Sequence, residues 1–332
     1  MITLPDTYHQ YLNVVETQMA IKAIKDKFED QLSIALNLIR VSAPLFVGKN
    51  SGINDDLSGF EKAVNFTHGE IDDTLEIVHS LAKWKRLALS RYNFDVNQGL
   101  YTDMNAIRKH EVLDGIHSIL VDQWDWELVI DTTSRNLDTL QLIVNTIYDV
   151  LLTVEAMLEK TFNIKATLAK KVTFISSYDL EAQYPSLSPV EREYVVAKEY
   201  GSVFITEIGD SLKNGDVHDM RAPDYDDWHL NGDLLVYYPL LDAAIELSSM
   251  GIRVNQHEME TQCKKANASD RLSRSFHQLC LNNKLPSTIG GGIGQSRMCL
   301  VLLHKAHIGE VQASTWPLSM IEACLEKGIF LL

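Results

Sequence analysis

The sequence predicts an α+β fold in which a mainly antiparallel sheet is flanked by helices. Strand-like runs are frequent and lie between long amphipathic helices, but they do not alternate regularly with helices. A doubly wound parallel sheet requires that alternation, so a Rossmann-type domain is disfavoured. The 332 residues, 45% of them hydrophobic, are enough for one large domain or two ordinary ones.

The helices are identified by apolar side chains that recur at helical spacing. In the N-terminal segment these residues are Ile21, Ile24, Phe28 and Leu32. In the clearest long helix they are Leu140, Ile143, Ile147, Leu151, Val154 and Leu158. A buried helix is also predicted for the apolar run 298–303.

Strands are predicted over residues 38–44, 76–79, 119–127, 172–175, 203–205 and 234–238. The first of them ends in Pro44. Proline cannot donate to a strand ladder, so this strand is expected at an edge or at an interface.

Composition and cysteine usage limit the class of protein. A formal net charge of −15 argues against a broad nucleic-acid-binding face, which needs clustered Lys and Arg. No Cys-x-x-Cys pair occurs, so neither a zinc site nor a disulfide framework is predicted. The longest apolar run is too short for a membrane span, and residues 1–6 lack signal-peptide features. We expect a reduced, cytoplasmic protein. Its four cysteines are Cys263, Cys280, Cys299 and Cys324.

The most informative stretch is a run of glycines at positions 290, 291, 292 and 294, directly before Arg297 and the apolar helix. Glycines at a helix N-terminus suit the approach of a phosphate or of a nucleotide face. The run is not a Walker A motif, because no Lys-Ser/Thr pair follows it. The alternative interpretation is a tight turn with no ligand.

Two further segments concentrate polar groups. Ser80 is followed by two lysines around a tryptophan, which indicates either a solvated helix face or a binding site. Gln123, Asp125 and Glu127 alternate with tryptophans, so period two places all three on one strand face. That face is either exposed or the wall of a pocket for an ammonium and a carboxylate.

Acidic residues suggest a cation near these segments. The loop 221–228 could bind a cation or cap a helix. Asp233, which we expect to open a strand, and Glu246 with Ser249, which we expect to close the next, offer oxygen ligands on neighbouring strands. Such ligands suit Mg²⁺ that arrives with nucleotide phosphates. His304 and His307 have no third ligand nearby in sequence and are interpreted as packing residues.

In this order the segments resemble the ammonia-dependent asparagine synthetases (aspartate–ammonia ligases), which share the catalytic domain of class II aminoacyl-tRNA synthetases. The resemblance covers essentially the whole chain and implies a single catalytic domain over residues 1–332. It implies ATP and Mg²⁺ as requirements, L-aspartate and ammonia as substrates, and a homodimer. The segments that carry it are 55–59, 79–86, 99–108, 121–127, 221–228, 231–233, 246–254 and 288–297.

The resemblance also implies roles at the nucleotide end. Pro44 corresponds to the motif 1 proline at a dimer interface. Arg108 corresponds to the motif 2 arginine on the α-phosphate, and Arg297 to the motif 3 arginine on the far phosphates of a bent ATP. The residues expected to hold Mg²⁺ and nucleotide are Asp233, Glu246 and Ser249, with Arg253 and Gly292 nearby.

At the amino-acid end, the implied chemistry is formation of a β-aspartyl adenylate, followed by displacement of AMP by ammonia. Asp125 and Asp226 would pair with the α-ammonium of aspartate, with Tyr225 in the same substrate site. The α-carboxylate would contact Ser80 and Lys85, and the β-carboxylate Gln123 and Arg108. Asp55 would position ammonia or take its proton.

Two features depart from the family pattern. Asp56 stands where the family usually has Asn, which adds an acid near the site. The segment between Trp228 and Asn231 is shorter than in the best-known bacterial members. Three alternatives remain: an aspartyl- or asparaginyl-tRNA synthetase-like enzyme, a glutamine-fed synthetase and a catalytically inactive paralogue. The first would need an anticodon-binding domain, and the second an N-terminal cysteine where Ile2 stands.

Overall fold

The computed structural model of the protein describes residues 4–5, 8–57 and 61–332. Its strands are β1 Leu38–Arg40, β2 Phe46–Gly48, β3 Asn65–His68, β4 Ile71–Ile77, β5 Gly99–Ile107, β6 Leu120–Val129, β7 Thr173–Ser176, β8 Ser202–Thr206, β9 Asp226–Tyr238, β10 Ala243–Arg253 and β11 Thr288–Gly294. Its helices are α1 Val14–Leu36, α2 Ala82–Arg91, α3 Leu137–Phe162, α4 Ser177–Gln183, α5 Pro189–Tyr200, α6 Gln256–Lys265, α7 Ser275–Leu281, α8 Gln295–Leu302 and α9 Leu318–Glu326.

Eight strands form one sheet in the order β1-β5-β6-β11-β10-β9-β8-β7. Every interior pairing from β5 to β8 is antiparallel, and only the two edge pairings, β1 with β5 and β7 with β8, are parallel. Strands β2, β4 and β3 form a separate small antiparallel sheet. The predicted α+β class with a mainly antiparallel sheet is confirmed.

The apolar stripes of α1 and α3 lie buried in one core cluster with the sheet. Phe28 of α1 stacks on Trp124 of β6 with ring centroids 4.6 Å apart, and both side chains are fully buried. The Trp124 indole N–H donates to Glu29 Oε1 at 2.9 Å, which satisfies its one polar atom. Helix α3 has the length and apolar composition to cross a bilayer, but its buried stripe makes it the core helix of this fold.

The structure differs from the predicted strand bounds in three regions. The predicted strand 76–79 shares only residues 76–77 with β4. Only residues 38–40 of the predicted strand 38–44 are paired, and they form the edge strand β1 as expected from Pro44. Asp233 lies in the interior of β9 rather than at its start, and Glu246 and Ser249 lie in the interior of β10. Both strands are longer than their apolar runs because paired neighbours on each side extend them through polar residues.

Loss of the Phe28 ring should destabilise the protein strongly, because it would leave a cavity between α1 and the central sheet. Phe28→Ala is expected to lower the free energy of unfolding by about 3–5 kcal/mol. The control is Leu142→Ala on α3, where the side chain is 65% exposed, and it should change stability by no more than about 0.5 kcal/mol. Chemical denaturation of both variants measures the difference, and equal effects would contradict this packing.

Candidate active site

One cavity of about 420 Å³ gathers the predicted site residues on the strand face opposite α1 and α3. Only Asp233 of the predicted set lies outside its lining, and it borders a smaller cavity of about 200 Å³ beside Glu246. The others in the main lining are Asp55, Ser80, Lys85, Arg108, Gln123, Asp125, Tyr225, Asp226, Glu246, Ser249, Arg253, Gly292 and Arg297. Residues far apart in sequence thus meet at one site.

The glycine run forms a central strand, so its interpretation as a tight turn is wrong. In β11, Gly290 pairs with Glu127, Gly292 with Asp125 and Gly294 with Gln123 of the neighbouring β6. A Cβ atom on Gly292 would lie 2.7 Å from Asp125 Oδ1 and still closer to Gln123 Oε1. Glycine is therefore required at position 292, because the side chains of Gln123 and Asp125 lie over the backbone of β11, which lines the cavity.

Helix α2 turns its cations inward, so the alternative of a solvated helix face is wrong. Lys83 and Lys85 are each only 1% exposed. Lys85 Nζ donates to the Gly291 carbonyl at 2.8 Å and lies 3.4 Å from Asp125 Oδ2. Burial lowers the pKa of Lys85, and the Asp125 carboxylate opposes that shift. The Leu81 N–H at the start of α2 also donates to Asp125, at 3.3 Å.

Arg253 is paired with two carboxylates, Glu127 and Asp226, and the ATP contact expected of it stays a prediction. Its Nε and Nη2 donate to Glu127 at 2.9 and 2.6 Å, and Nη1 pairs with Asp226. Burial alone would raise the pKa of Glu127, but Arg253 outweighs burial and holds it low. For Asp226, burial outweighs Arg253 and raises the pKa. Glu127 and Asp226 are thus paired with Arg253, and the substrate contact expected of Asp226 stays a prediction.

Arginines surround Glu246 at the other end of the cavity. Arg297, in the first turn of α8, donates Nη1 to the Glu246 carbonyl at 3.2 Å and approaches its carboxylate at 3.5 Å. Arg108, directly after β5, has its Nη1 4.0 Å from Glu111, and its Nε lacks a partner among the described residues. The positive charges outweigh burial and lower the pKa of Glu246.

Asp233 has an ion-pair partner that the sequence did not identify as a site residue. Arg221 pairs with Asp233 Oδ2 and also with Asp219 at 3.1 Å. Burial raises the pKa of Asp233 to about 7, although Arg221 opposes the shift. Its Oδ1 is buried and has no partner in the described part of the chain. Ser249 is its direct cross-strand neighbour on β10.

The loop before β9 holds a buried carboxylate that is paired within the protein. Asp224 is fully buried, and its Oδ2 accepts from Lys83 Nζ and from His277 Nε2, each at 2.9 Å. The short segment from Trp228 to Asn231 continues β9 without interruption. Residues 226–228 of the predicted loop 221–228 therefore belong to β9, whereas residues 221–225 precede the strand.

Asp55 and Asp56 face different surroundings. Asp55 lines the cavity, and its Oδ1 accepts from the Leu57 N–H at 2.8 Å. Burial raises the pKa of Asp55, while the positive charge of Lys83 opposes the shift. Asp56 is not part of the cavity lining and pairs with Arg274 at 2.7 Å and Arg271 at 3.4 Å. Its extra charge is neutralised outside the cavity. Residues 58–59 of this motif lie outside the described residues.

Comparison with known proteins decides the family. The family model described as aspartate-ammonia ligase matches residues 15–328. The aspartate–ammonia ligase of Clostridium perfringens strain SM101 is 55% identical over 331 residues, which cover 99% of this chain and 98% of that protein. That of Pediococcus pentosaceus is 52% identical over 333 aligned positions, covering 100% and 99%. The chain belongs to the aspartate–ammonia ligase family.

Solved structures identify the fold. The asparaginyl-tRNA synthetase of Entamoeba histolytica, solved with asparaginyl-adenylate, superposes with a TM-score of 0.63 at 13% identity over 90% of this chain and 66% of that one. The enzyme of Pyrococcus horikoshii, also with asparaginyl-adenylate, gives 0.63 at 12% identity over 90% and 70%. This aspartate–ammonia ligase family member therefore has the class II aminoacyl-tRNA synthetase catalytic fold.

Sequence reasoning on this ligase missed three residues of the cavity and its surroundings. Arg221, within the quoted acidic loop, could have been inferred from its charge among carboxylates. His79 lies between a strand and the Ser80 segment and borders the cavity. Glu127 was expected on the same strand face as Asp125, and only its buried partner Arg253 reveals that it is not a ligand.

An added methyl group at Gly292 should disable the site while leaving the fold intact. In Gly292→Ala the new Cβ displaces Gln123 and Asp125, and a shift of about 1 Å in positioning groups costs about 100-fold in rate. The control is Gly69→Ala in the β3–β4 turn, where a Cβ meets no atom within 4 Å. Steady-state kinetics and circular dichroism distinguish the two, and wild-type kinetics in Gly292→Ala would refute the close approach.

Proposed function

We propose that this protein makes L-asparagine from L-aspartate, ammonia and ATP through a β-aspartyl adenylate, with release of AMP and pyrophosphate. One observation carries the proposal. The cavity combines an amino-acid-sized polar wall, Gln123, Asp125 and Lys85, with two arginines, Arg108 and Arg297, at its nucleotide end. The names of the relatives support the substrates, and the fold shared with adenylate-forming synthetases supports the intermediate.

The Asp125–Lys85 pair suits the backbone groups of an amino acid. Its opposite charges lie 3.4 Å apart and both border the cavity. Asp125 would receive the α-ammonium, and Lys85 with Ser80 the α-carboxylate. Gln123 would then orient the β-carboxylate, together with Arg108, toward the α-phosphorus of ATP. Arg253 holds Glu127, two residues along β6, and thereby keeps the wall in place.

Adenylation transfers negative charge to phosphoryl oxygens, and the arginines can stabilise it. Arg108 would act on the α-phosphate and Arg297 on the far phosphates. One preorganised donor of this kind is worth about 3–4 kcal/mol of barrier. The β-carboxylate oxygen attacks the α-phosphorus, and pyrophosphate leaves with the electrons of the broken P–O bond.

The donor set near Arg221 fits Mg²⁺. Asp233 and Glu246 supply carboxylates from adjacent strands, Ser249 a hydroxyl, and Asp233 keeps one buried oxygen without a described partner. Mg²⁺ binds through one or two carboxylates and completes its shell with water and phosphate. When bound, it would neutralise charge on the phosphates. Arg221 must then share or release Asp233.

A homodimer is supported by an exposed apolar surface on the N-terminal elements. Ile34, Ile39, Leu45 and Phe46 are exposed by 77, 59, 51 and 44%. They lie on α1, on β1 and around Pro44, which are consecutive in the chain. Exposed apolar patches of this kind mark interfaces. We place the protein in the cytoplasm, without a nucleic-acid or membrane partner.

The reaction products test the proposal. With ATP, aspartate and ammonium, the protein should form asparagine, AMP and pyrophosphate in equal amounts. Two arginines on a bent triphosphate favour attack at the α-phosphorus. Quantification by chromatography decides the question. ADP and orthophosphate in place of AMP and pyrophosphate would overturn the adenylate mechanism.

Substitutions at Arg108 and Asp55 should affect different half-reactions. Arg108→Ala should abolish aspartate-dependent exchange of labelled pyrophosphate into ATP. Asp55→Asn keeps the side-chain size but removes the charge that attracts ammonium, so synthesis should fall more than exchange. The deficit should shrink as pH rises, because free ammonia becomes abundant. Equal losses of both activities in Asp55→Asn would remove the ammonia role from Asp55.

A charge at the proposed interface should separate the subunits. Ile39→Asp should shift the light-scattering mass at micromolar concentration from dimer to monomer. Leu142→Asp is the control, since Leu142 is also exposed but lies on α3. A wild-type protein that is monomeric and active would contradict the dimer.

A further inference from the structure

A single asparagine ties two cavity residues together. The Asn54 Oδ1 accepts the backbone N–H groups of Asp55 and of His79, each at 2.9 Å. Its Nδ2 donates to the Ile77 carbonyl at 3.4 Å and to Glu76 Oε2 at 3.3 Å. Asn54 and His79 are both buried, and the end of β4 is thereby fixed against the Asp55 segment. The relative position of His79 and Asp55 is set by these bonds.

The same contacts assign the protonation of the His79 ring. Its Nδ1 lies 3.2 Å from the backbone carbonyl oxygen of Asp55. A carbonyl oxygen can only accept, so Nδ1 carries a hydrogen. In the neutral form of the ring, Nε2 then has the free lone pair. His79 borders the cavity together with Asp55 and Ser80. The ring therefore presents a proton acceptor at the substrate end.

Charged groups lie next to this segment. Asp55 is a buried cavity carboxylate whose pKa is raised by burial and lowered by Lys83. Lys83 in turn is held by Asp224 at 2.9 Å, with His277 on the same carboxylate oxygen. Lys83 is thus paired with Asp224, and the His79 ring contacts the backbone carbonyl of Asp55.

We propose that His79 is the catalytic base of the ammonia half-reaction and that Asn54 is its positioning residue. The inference rests on the proposed adenylate chemistry. Ammonia, attracted beside Asp55, forms a C–N bond to the β-carbonyl carbon while the carbonyl π electrons move to oxygen. His79 Nε2 takes one proton from the attached nitrogen and becomes an imidazolium. The electrons return from oxygen, the C–O bond to phosphate breaks, and AMP leaves with that pair.

Two substitutions of similar size distinguish the proposed role of His79 Nε2 as a base from the structural role of the Nδ1 hydrogen bond. In His79→Asn the side-chain amide N–H can still donate to the Asp55 carbonyl, but the Nε2 base is gone. In His79→Gln the amide reaches the Nε2 position and the bond to Asp55 is lost. His79→Asn should keep pyrophosphate exchange and thermal stability, while asparagine synthesis falls by about 100-fold. His257→Asn, at an exposed histidine on α6, is the matched control and should behave as wild type.

Hydroxylamine distinguishes a base from a positioning group. Its nitrogen is less basic than that of ammonia, so the attached nitrogen loses its proton with less assistance. In His79→Asn the loss with hydroxylamine should therefore be much smaller than the loss with ammonia. An equal loss with both nucleophiles, or a parallel loss of exchange and synthesis, would overturn the base role. Exchange that is absent from the wild type would overturn the adenylate chemistry itself, and the inference with it.

Asn54 is tested by its effect on ammonia use. Asn54→Ser shortens the side chain that joins Asp55 to His79 and should raise the KM for ammonium while leaving the KM for ATP unchanged. A purely structural role would alter both constants or only the thermal stability. That result would remove Asn54 from the proposal.

Discussion

The site depends on charges that are buried around one glycine strand. Gly290 and Gly292 let the side chains of β6 lie directly over β11, and those side chains must then be paired because they are away from water. Glu127 pairs with Arg253, Asp125 with Lys85, and Asp224 with Lys83. Removing one partner of such a buried pair costs about 3–5 kcal/mol. The pairs thus fix the positions of the groups that remain free to bind.

The need to pair buried charges distinguishes charged side chains that hold the cavity in place from those that remain available to bind a substrate. Arg253 has three donors committed to carboxylates, so it stabilises the wall of the cavity. Arg108 has its Nε unsatisfied among the described residues, and Arg297 makes only one short contact, to a backbone carbonyl. The latter two can turn to a phosphate at little cost. Both ends of the cavity therefore carry cations together with carboxylates.

Much of the fold could be predicted because the spacing of apolar residues indicates which face of a helix or strand is buried. Helices α1 and α3 and the strands β6, β7, β8 and β9 correspond to the apolar patterns in the sequence, whereas the predicted strand 76–79 overlaps only the end of β4. The glycine strand β11 could not be recognised, since glycine has no side chain to show a period of two. The full lengths of β9 and β10 depend on pairing with neighbours that are distant in sequence.

The candidate site could likewise be predicted only in part from the sequence. Residue type and motif order were enough to collect Arg108, Gln123 and Arg297, and the structure brings them to one cavity. The ion pairs could not be predicted, because no local pattern in the sequence shows that Glu127 faces Arg253 or that Arg221 faces Asp233. The tautomer of His79 likewise depends on a backbone carbonyl contributed by a separate segment.

The central claim is that the β-carboxylate of aspartate becomes bonded to the α-phosphorus of ATP in this cavity. Aspartate that carries a heavy oxygen isotope in its β-carboxylate tests this claim most directly. Mass spectrometry should find one labelled oxygen in AMP for each asparagine formed, and none in pyrophosphate. AMP without label, or label in orthophosphate, would contradict it.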